Sequence, residues 1–364
     1  MRGIYFNSKQ AVCSIWESGK MVYDILCQSC KYILDYTEAD SIPTNIQDYD
    51  FIIVNFHLTV NNWITAGILQ LINKLSYCVV TEVGLDDNNL FYITPTIFNQ
   101  YIFLDPTITE TNTIHGFPRP LDQISSFMNY VNREASTVDT GLQLHASGID
   151  VTLNSKHTSM LLRKSINRTP SGGDCLQSPC TSNWDLSVPV VGSFGFATTG
   201  KCWHEIVRAV CNEFDQAIIR FNIPKATYVT DIMFYKEIIA IKQLCKPMLD
   251  NKPGIKLIIS HNVMNKSDLV NWCSNNTINC FFYDRYNQGF RAGLCAVTDQ
   301  AILSRRPLLT TGDPTFRHIT NFIKPYPEQS IREAIANTAD SVAKLCDAWA
   351  PSIFLAKFES CLLG

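Results

Sequence analysis

The sequence predicts an α/β fold with two parallel, doubly wound sheets, one in each half of the chain. Apolar runs of strand length alternate with helix-period segments over residues 3–104, and the same alternation resumes at Val188. Strands separated by helical segments predict a parallel sheet. Between the two halves, residues 136–187 are rich in Ser, Thr, Gly, Asn and Pro and lack this periodicity. We interpret that stretch as an insertion and connection.

Short apolar runs predict the strands of the first half. A loop and helix that hold Ser14, Glu17, Ser18 and Gly19 are expected after the first strand, and a second helix over residues 63–75. The predicted strands are Gly3–Asn7, Cys30–Tyr36, Asp50–His57, Tyr77–Glu82 and Tyr101–Leu104. A loop is expected over Ile114–Pro120, where Gly and two Pro residues interrupt the pattern.

The second half repeats the alternation and ends in helical sequence over residues 329–363. Val188–Phe196 is predicted as a strand followed by a glycine loop. The other predicted strands are Gln216–Phe221, Lys256–Ser260, Ile278–Tyr283 and Pro307–Thr311. Its predicted helices are Cys202–Phe214, Thr230–Leu249, Ser267–Ser274 and a segment over residues 294–302.

Net charge, the length of the apolar runs and the cysteine content restrict which classes of protein this chain could belong to. The formal net charge of -3 lacks the basic excess expected of a protein that binds nucleic acid. The sequence contains no apolar run of transmembrane length, and residues 1–10 suggest a strand rather than a signal peptide. We therefore expect a cytoplasmic protein whose 14 cysteines are reduced and mostly buried. The CxxC pair Cys27 and Cys30 has no partner at zinc-site spacing, so no metal site is predicted.

The densest group of polar residues follows the predicted strand Ile278–Tyr283. Strand, polar glycine loop, helix and strand form a βαβ unit over residues 278–311, and ligands of such sheets bind at the carboxyl ends of the strands. A helix amino terminus there is suited to phosphate. The candidate ligand-binding residues in this loop are Asp284, Asn287, Gln288, Gly289 and Arg291. Arg291 could also neutralise the charge of a diphosphate, and a structural role is the alternative.

A second glycine loop is expected after the strand that begins at Val188. Gly192, Ser193 and Gly195 could let backbone N–H groups approach a pyrophosphate, with Lys201 as the counter-charge. The alternative is a tight turn between strand and helix. Arg220 and Asn222, at the end of the next strand, are placed to assist or to serve structural roles.

Two such halves, with these motifs, resemble a GT-B glycosyltransferase. The loop from Val191 to Lys201 resembles the loop that opens the carboxyl-terminal domain of these enzymes. Gln288-Gly289-Phe290 stands where retaining families carry Glu-Gly-Phe, and Asp299-Gln300-Ala301 stands where they carry Glu-Ala. The segment Phe354–Glu359 resembles their last helix, which crosses back to the first domain.

The resemblance implies an enzyme that transfers a sugar from a nucleoside diphosphate sugar to a glycan or another hydroxyl acceptor. It implies two Rossmann-like domains that face each other across a cleft, with no permanently bound cofactor and no metal. We assign residues 1–135 to an acceptor domain, 136–187 to a linker, 188–345 to a donor domain and 346–364 to the returning helix. Thr298 and Asp299 would lie in the donor site, where the family's acidic residue accepts ribose hydroxyls.

Candidates for the general base lie in the first half. Glu17 is expected in the first loop after a strand, and His115 in the loop before Pro118; either could take a proton from an acceptor hydroxyl. Two other functions stay open. A sugar-nucleotide epimerase could use the same scaffold. A non-catalytic module that binds a glycan or nucleotide is the second rival, and Gln288, in place of a glutamate, is its best support.

Overall fold

The computed structural model describes residues 1–7, 14–56, 63–80, 84–85, 91–92, 97–121, 187–226, 229–285 and 294–363. We call the described residues up to 121 the first half and those from 187 onward the second half. Both halves belong to one compact unit. The predicted linker 136–187 lies outside the described residues except for Ser187, so the predicted domain boundaries stay a prediction.

The first half contains a six-stranded sheet of order β2-β1-β3-β4-β7-β8. All of its neighbouring strands are parallel. The strands are β1 (Arg2–Phe6), β2 (Ile33–Thr37), β3 (Phe51–Phe56), β4 (Leu75–Val80), β7 (Gln100–Phe103) and β8 (Ile114–Gly116). A separate antiparallel pair consists of β5 (Gly84–Leu85) and β6 (Phe91–Tyr92). The helices are α1 (Ser14–Leu26) and α2 (Ala66–Ile72).

The second half contains a five-stranded sheet of order β11-β10-β9-β12-β13, also parallel throughout. The strands are β9 (Val190–Phe194), β10 (Ala217–Asn222), β11 (Ile255–Ser260), β12 (Ile278–Phe281) and β13 (Leu308–Thr310). The helices are α3 (Trp203–Glu213), α4 (Asp231–Asp250), α5 (Lys266–Ser274), α6 (Val297–Leu303), α7 (Arg317–Thr320), α8 (Ile331–Asn337), α9 (Ala339–Ala348) and α10 (Pro351–Leu363).

Local sequence explains many of these boundaries. Thr230 caps the start of α4, where its side chain accepts from the Met233 N–H. Ser330 and Glu333 form a capping box at the start of α8. Every residue of β3 is buried, as expected for a central parallel strand covered on both faces.

One predicted loop is a strand. Residues Ile114–Gly116 form the edge strand β8, in which His115 pairs with Ile102 of β7. The loop prediction for this segment was wrong because a three-residue strand beside prolines carries too little periodicity to be recognised. The edge position tolerates such a short strand because only one neighbour has to be matched.

The last helix returns to the first half. Phe354 and Phe358 of α10 are fully buried, and with Leu362 they join the core formed by Tyr5, Val22 and other residues of the first sheet and α1. The opposite face of this sheet packs in a separate core that includes Phe6 and Val54. The helix crossing predicted from the sequence is confirmed, and it covers one face of the first sheet.

None of the helices described here is both long enough and apolar enough to cross a membrane.

We expect Phe358→Ala to lower the free energy of unfolding by about 3–5 kcal/mol, because it empties a fully buried aromatic site. Ile353→Ala, on the same helix but 50% exposed, should change it by less than about 0.5 kcal/mol. Urea denaturation of both variants measures the difference. Equal effects would contradict the packing of α10 against the first sheet.

Candidate functional site

The second sheet reverses its strand order between β9 and β12. From β9 the chain continues through α3 to β10 on one side, whereas β12 continues through α6 to β13 on the other. Such a switch point, at the carboxyl ends of the strands, is where open α/β sheets bind ligands. The segments that leave β9 and β12 therefore form the candidate site.

These two segments are joined by backbone hydrogen bonds. The Asp284 N–H donates to the Gly200 carbonyl, and the Cys202 N–H donates to the Phe282 carbonyl, both at 2.8 Å. Lys201 and Tyr283 form an antiparallel bridge between them. The loop after β9 is thus held against the loop after β12, and Lys201 is fixed at the switch point.

Two glycines give the loop after β9 its path. Gly195 has a φ of 128° and Gly200 a φ of 79°, in the region that favours glycine. A side chain at Gly200 would meet the backbone of Arg285, and one at Gly195 would occupy the space of the Lys201 ammonium. The Gly195 N–H donates to the Asn222 carbonyl at 3.0 Å. Gly195 and Lys201 therefore lie together, and their predicted contact with a phosphate stays a prediction.

Lys201 places a cation in largely apolar surroundings. Its Nζ lies 5.3 Å from the centre of the Tyr283 ring and 5.9 Å from that of Trp203. Burial lowers the pKa of Lys201 from 10.5 to about 8; the Arg285 guanidinium acts in the same direction and Cys295 opposes them. No carboxylate in the described part of the chain forms an ion pair with this ammonium. Such a group is suited to an incoming anion.

Asp299 lies in the first turn of α6 and is buried, with 8% of its surface exposed. Its Oδ2 lies 3.3 Å from Nε of Arg119, which comes from the first half. Burial raises the pKa of Asp299, and the positive charges of Arg119 and Lys266 act against that rise. The neighbouring Thr298 donates its hydroxyl to the Cys295 carbonyl at 2.8 Å.

Comparison with solved structures identifies the architecture. Alr3699/HepE from Anabaena in complex with UDP matches 100% of this chain and 99% of its own, with a TM-score of 0.57 and 10% identity. A structure of E. coli trehalose-6-phosphate bound with UDP-2-fluoro glucose also matches 100% of this chain and 99% of its own, with a TM-score of 0.56 and 9% identity. The N-terminal domain of Candida albicans trehalose-6-phosphate phosphatase, matched over 99% of this chain and 97% of its own, scores 0.54 at 6% identity.

This chain has the GT-B fold. The fold predicted from the sequence is confirmed. No protein-family model and no curated protein matches the sequence, so the assignment rests on the arrangement of strands and helices over the full length.

Within the GT-B fold, some predicted donor residues occupy other places than expected. Gly192 and Ser193 lie inside β9 rather than in the loop that follows it. Gly192 is in close contact with the amide of Asn276, which also accepts from Nη1 of Arg220 at 3.0 Å. Arg220 lies within β10 and stacks over Trp272 at 4.9 Å. These contacts bind the sheet to the end of α5, and any contact of Gly192, Ser193 or Arg220 with phosphate stays a prediction.

Asn222 is the last residue of β10, and its side chain forms hydrogen bonds with the segment that follows β11. Its side-chain amide donates to the Asn262 carbonyl at 3.0 Å, and its Oδ1 accepts from Ser260 and from the Asn262 N–H. Asp284 is half-buried just after β12. Asn287, Gln288, Gly289 and Arg291 lie outside the described residues, and their predicted roles stay predictions.

The two candidate bases of the first half do not lie together. Glu17 is exposed in the first turn of α1. His115 is on the edge strand, where Nε2 is 2.8 Å from the Gln100 side-chain oxygen, and burial lowers its pKa. Among the described contacts neither residue touches Lys201 or Asp299. Their catalytic roles stay predictions, and the position of His115 in a loop is corrected to a strand.

Sequence reasoning missed two polar features. One is Arg119, whose only signal is an arginine between two prolines. The other is a buried pair at the switch point of the first sheet, where Asn55 donates to Asn7 at 2.7 Å and to the Ile15 carbonyl at 2.9 Å. Among the described His, Cys, Asp and Glu residues no group could hold a metal ion.

We expect Lys201→Met to raise the free energy of unfolding at pH 7 by on the order of 2 kcal/mol, because the folded wild type holds a charged amine in an apolar site. Between pH 8 and 10.5 the unfolded state binds more protons than the folded state, so wild-type stability rises and the advantage of the variant shrinks. Urea denaturation across this pH range measures both effects. The exposed Lys242→Met is the matched control; a constant advantage across the range would contradict the buried charge.

Proposed function

We propose that this chain is a glycosyltransferase that takes a sugar from a nucleoside diphosphate sugar and passes it to a hydroxyl acceptor. The observation that carries the proposal is Lys201, a half-buried ammonium with no acidic partner among the described residues, beside the Gly195 turn at the switch point of the second sheet. A diphosphate supplies the negative charge that this position lacks. Two of the structures that share the fold contain UDP or a UDP sugar analogue.

In this proposal the second half binds the donor. Lys201 pairs with the diphosphate, and the backbone after Gly195 lies close enough for N–H groups to contact it. Asp299 accepts a hydrogen bond from a ribose hydroxyl, the role that the resemblance implies. Asp284 and the neighbouring predicted loop, including Gln288 and Arg291, would complete the site.

The chemistry would depend on orientation and charge. As the bond from the sugar to the diphosphate breaks, negative charge grows on the leaving oxygen, and a pre-positioned cation stabilises that charge more than water does. The acceptor would enter from the first half, where Glu17 is the better exposed of the two candidate bases. As the resemblance implies, the proposed reaction uses no bound metal.

A thermal-shift and calorimetric screen with UDP, GDP, ADP, CMP and their sugar conjugates tests the donor site. A ligand that binds only the folded state raises the melting temperature by mass action. We expect one diphosphate to raise it in the wild type and in Lys242→Met, and to have at least tenfold weaker affinity for Lys201→Met. Without ligand, Lys201→Met is expected to be more stable than the wild type. A loss of binding in this variant would therefore not be caused by unfolding. No response to any nucleotide would contradict the proposal.

A measurement of turnover distinguishes the glycosyltransferase from the two alternative functions, the epimerase and the non-catalytic module. The conjugate that binds is incubated with a panel of sugar acceptors, and release of free nucleoside diphosphate is measured. Acceptor-dependent release supports transfer. Conversion of the donor sugar without an acceptor would instead indicate an epimerase, and binding without any turnover would indicate the non-catalytic module.

A further inference from the structure

The two halves meet along a seam that a short segment of the first half helps to build. Phe117 lies in the core of the first half, whereas Leu121 packs in the core of the second. The Leu121 N–H donates to the Trp349 carbonyl at 3.0 Å. Arg119 lies between these anchors, flanked by Pro118 and Pro120, so its backbone has little freedom to move.

Within the described parts of the chain, two ion pairs with a buried carboxylate cross this seam, and one of them is complete. Asp105 of the first half is fully buried and accepts from Nε of Arg317 at 2.8 Å. It also accepts from the Thr107 N–H at 3.0 Å and the Thr107 hydroxyl at 2.7 Å. Arg317 in turn donates to the Pro314 carbonyl at 2.9 Å. This pair is saturated with hydrogen bonds and is suited to holding the halves together.

The other pair is incomplete. Arg119 and Asp299 are 5% and 8% exposed, and their closest atoms, Nε and Oδ2, are 3.3 Å apart without hydrogen-bond geometry. Within the described parts of the chain, Nε of Arg119 and Oδ1 of Asp299 have no hydrogen-bond partner. A buried carboxylate oxygen without a partner is unfavourable, and it is expected where a ligand supplies the missing donor.

The first turn of α6, which carries Asp299, lies near the candidate phosphate site. Asp299 is two residues after Val297, whose Cγ1 is 3.3 Å from the position that a Cβ atom on Gly195 would take. The Lys201 ammonium lies against the same position. A ligand whose phosphate lies at Lys201 is therefore close to the turn that carries Asp299.

We infer that Arg119 is a positioning residue of the donor site, which holds the Asp299 carboxylate so that its Oδ1 accepts a hydrogen bond from a ribose hydroxyl of the donor. The inference rests on the proposed function. It means that the first half contributes to donor recognition and not only to the acceptor side. Sequence reasoning assigned no such role to Arg119, because the resemblance places the donor residues in the second half alone.

Electrostatics support this role. Burial raises the pKa of Asp299, while Arg119 and Lys266 favour its charged form. Lys266 begins α5, and its Nζ lies 4.0 Å from the sulfur of Met21 on α1. The Arg119 guanidinium lies 3.3 Å from the carboxylate, so its removal is expected to leave Asp299 poorly oriented.

The test compares each ribonucleoside diphosphate with its 2′-deoxy counterpart by calorimetry at pH 7, using UDP and 2′-deoxy-UDP and the equivalent guanine and adenine pairs. We expect wild type to prefer the ribo form of its cognate base by about tenfold or more, as for a hydrogen bond to a charged group. In Arg119→Gln this preference should fall below about threefold, with little change in affinity for the deoxy form. Arg119→Lys should retain most of the preference.

Asp105→Asn is the matched control, because it weakens the other ion pair of the same seam. It should lower the melting temperature and leave the ribose preference unchanged. If Arg119→Gln and Arg119→Lys both keep the wild-type preference, or if Asp105→Asn loses it to the same extent, Arg119 does not position Asp299. If wild type binds no diphosphate at all, the proposed function itself fails, and the inference fails with it. Binding to wild type with unaltered preference in the variants overturns the inference alone.

Discussion

A parallel sheet has to be covered on both faces, and the first sheet of this chain depends on the last helix for that cover. Phe354 and Phe358 bury their rings among residues from the beginning of the chain. The first sheet is therefore fully packed only when the last helix lies against it. This requirement brings the chain across the seam at its end, in addition to the crossing at Phe117–Leu121. The contact between the halves follows from how their cores are built.

The seam then determines where charge can be buried. The Asp105 carboxylate accepts hydrogen bonds from Arg317 and from Thr107. Such bonds offset the large desolvation cost of a buried ion pair. Arg119 and Asp299 are equally hidden from water but are not satisfied in the same way. Lys201 is a third charge in a poorly solvated position. Arg119, Asp299 and Lys201 are less well paired than Asp105 and Arg317, and Lys201 lies at the switch point of the second sheet.

Sequence reasoning was most successful where periodicity extends over several residues. The strands β9 and β10 and the long helix α4 lie close to their predicted positions, since buried apolar runs and a threonine cap are contiguous signals. It was least successful at β8, which is short and flanked by proline. Gly192 was assigned to a loop because its residue type is typical of turns. The contact with Asn276 that explains this glycine joins strands and helices far apart in the sequence.

By itself the sequence determined the α/β order, the turn at Gly195 followed by Lys201, and the acidic residue at the start of α6. Each depends on neighbouring residues, whose side-chain chemistry and spacing act over one or two turns of backbone. Only the tertiary structure decided that Lys201 lies near the ring of Tyr283 and that Arg119 meets Asp299. Those contacts join segments that are far apart in the sequence, so their partners are set by the geometry of the whole fold and leave no local pattern.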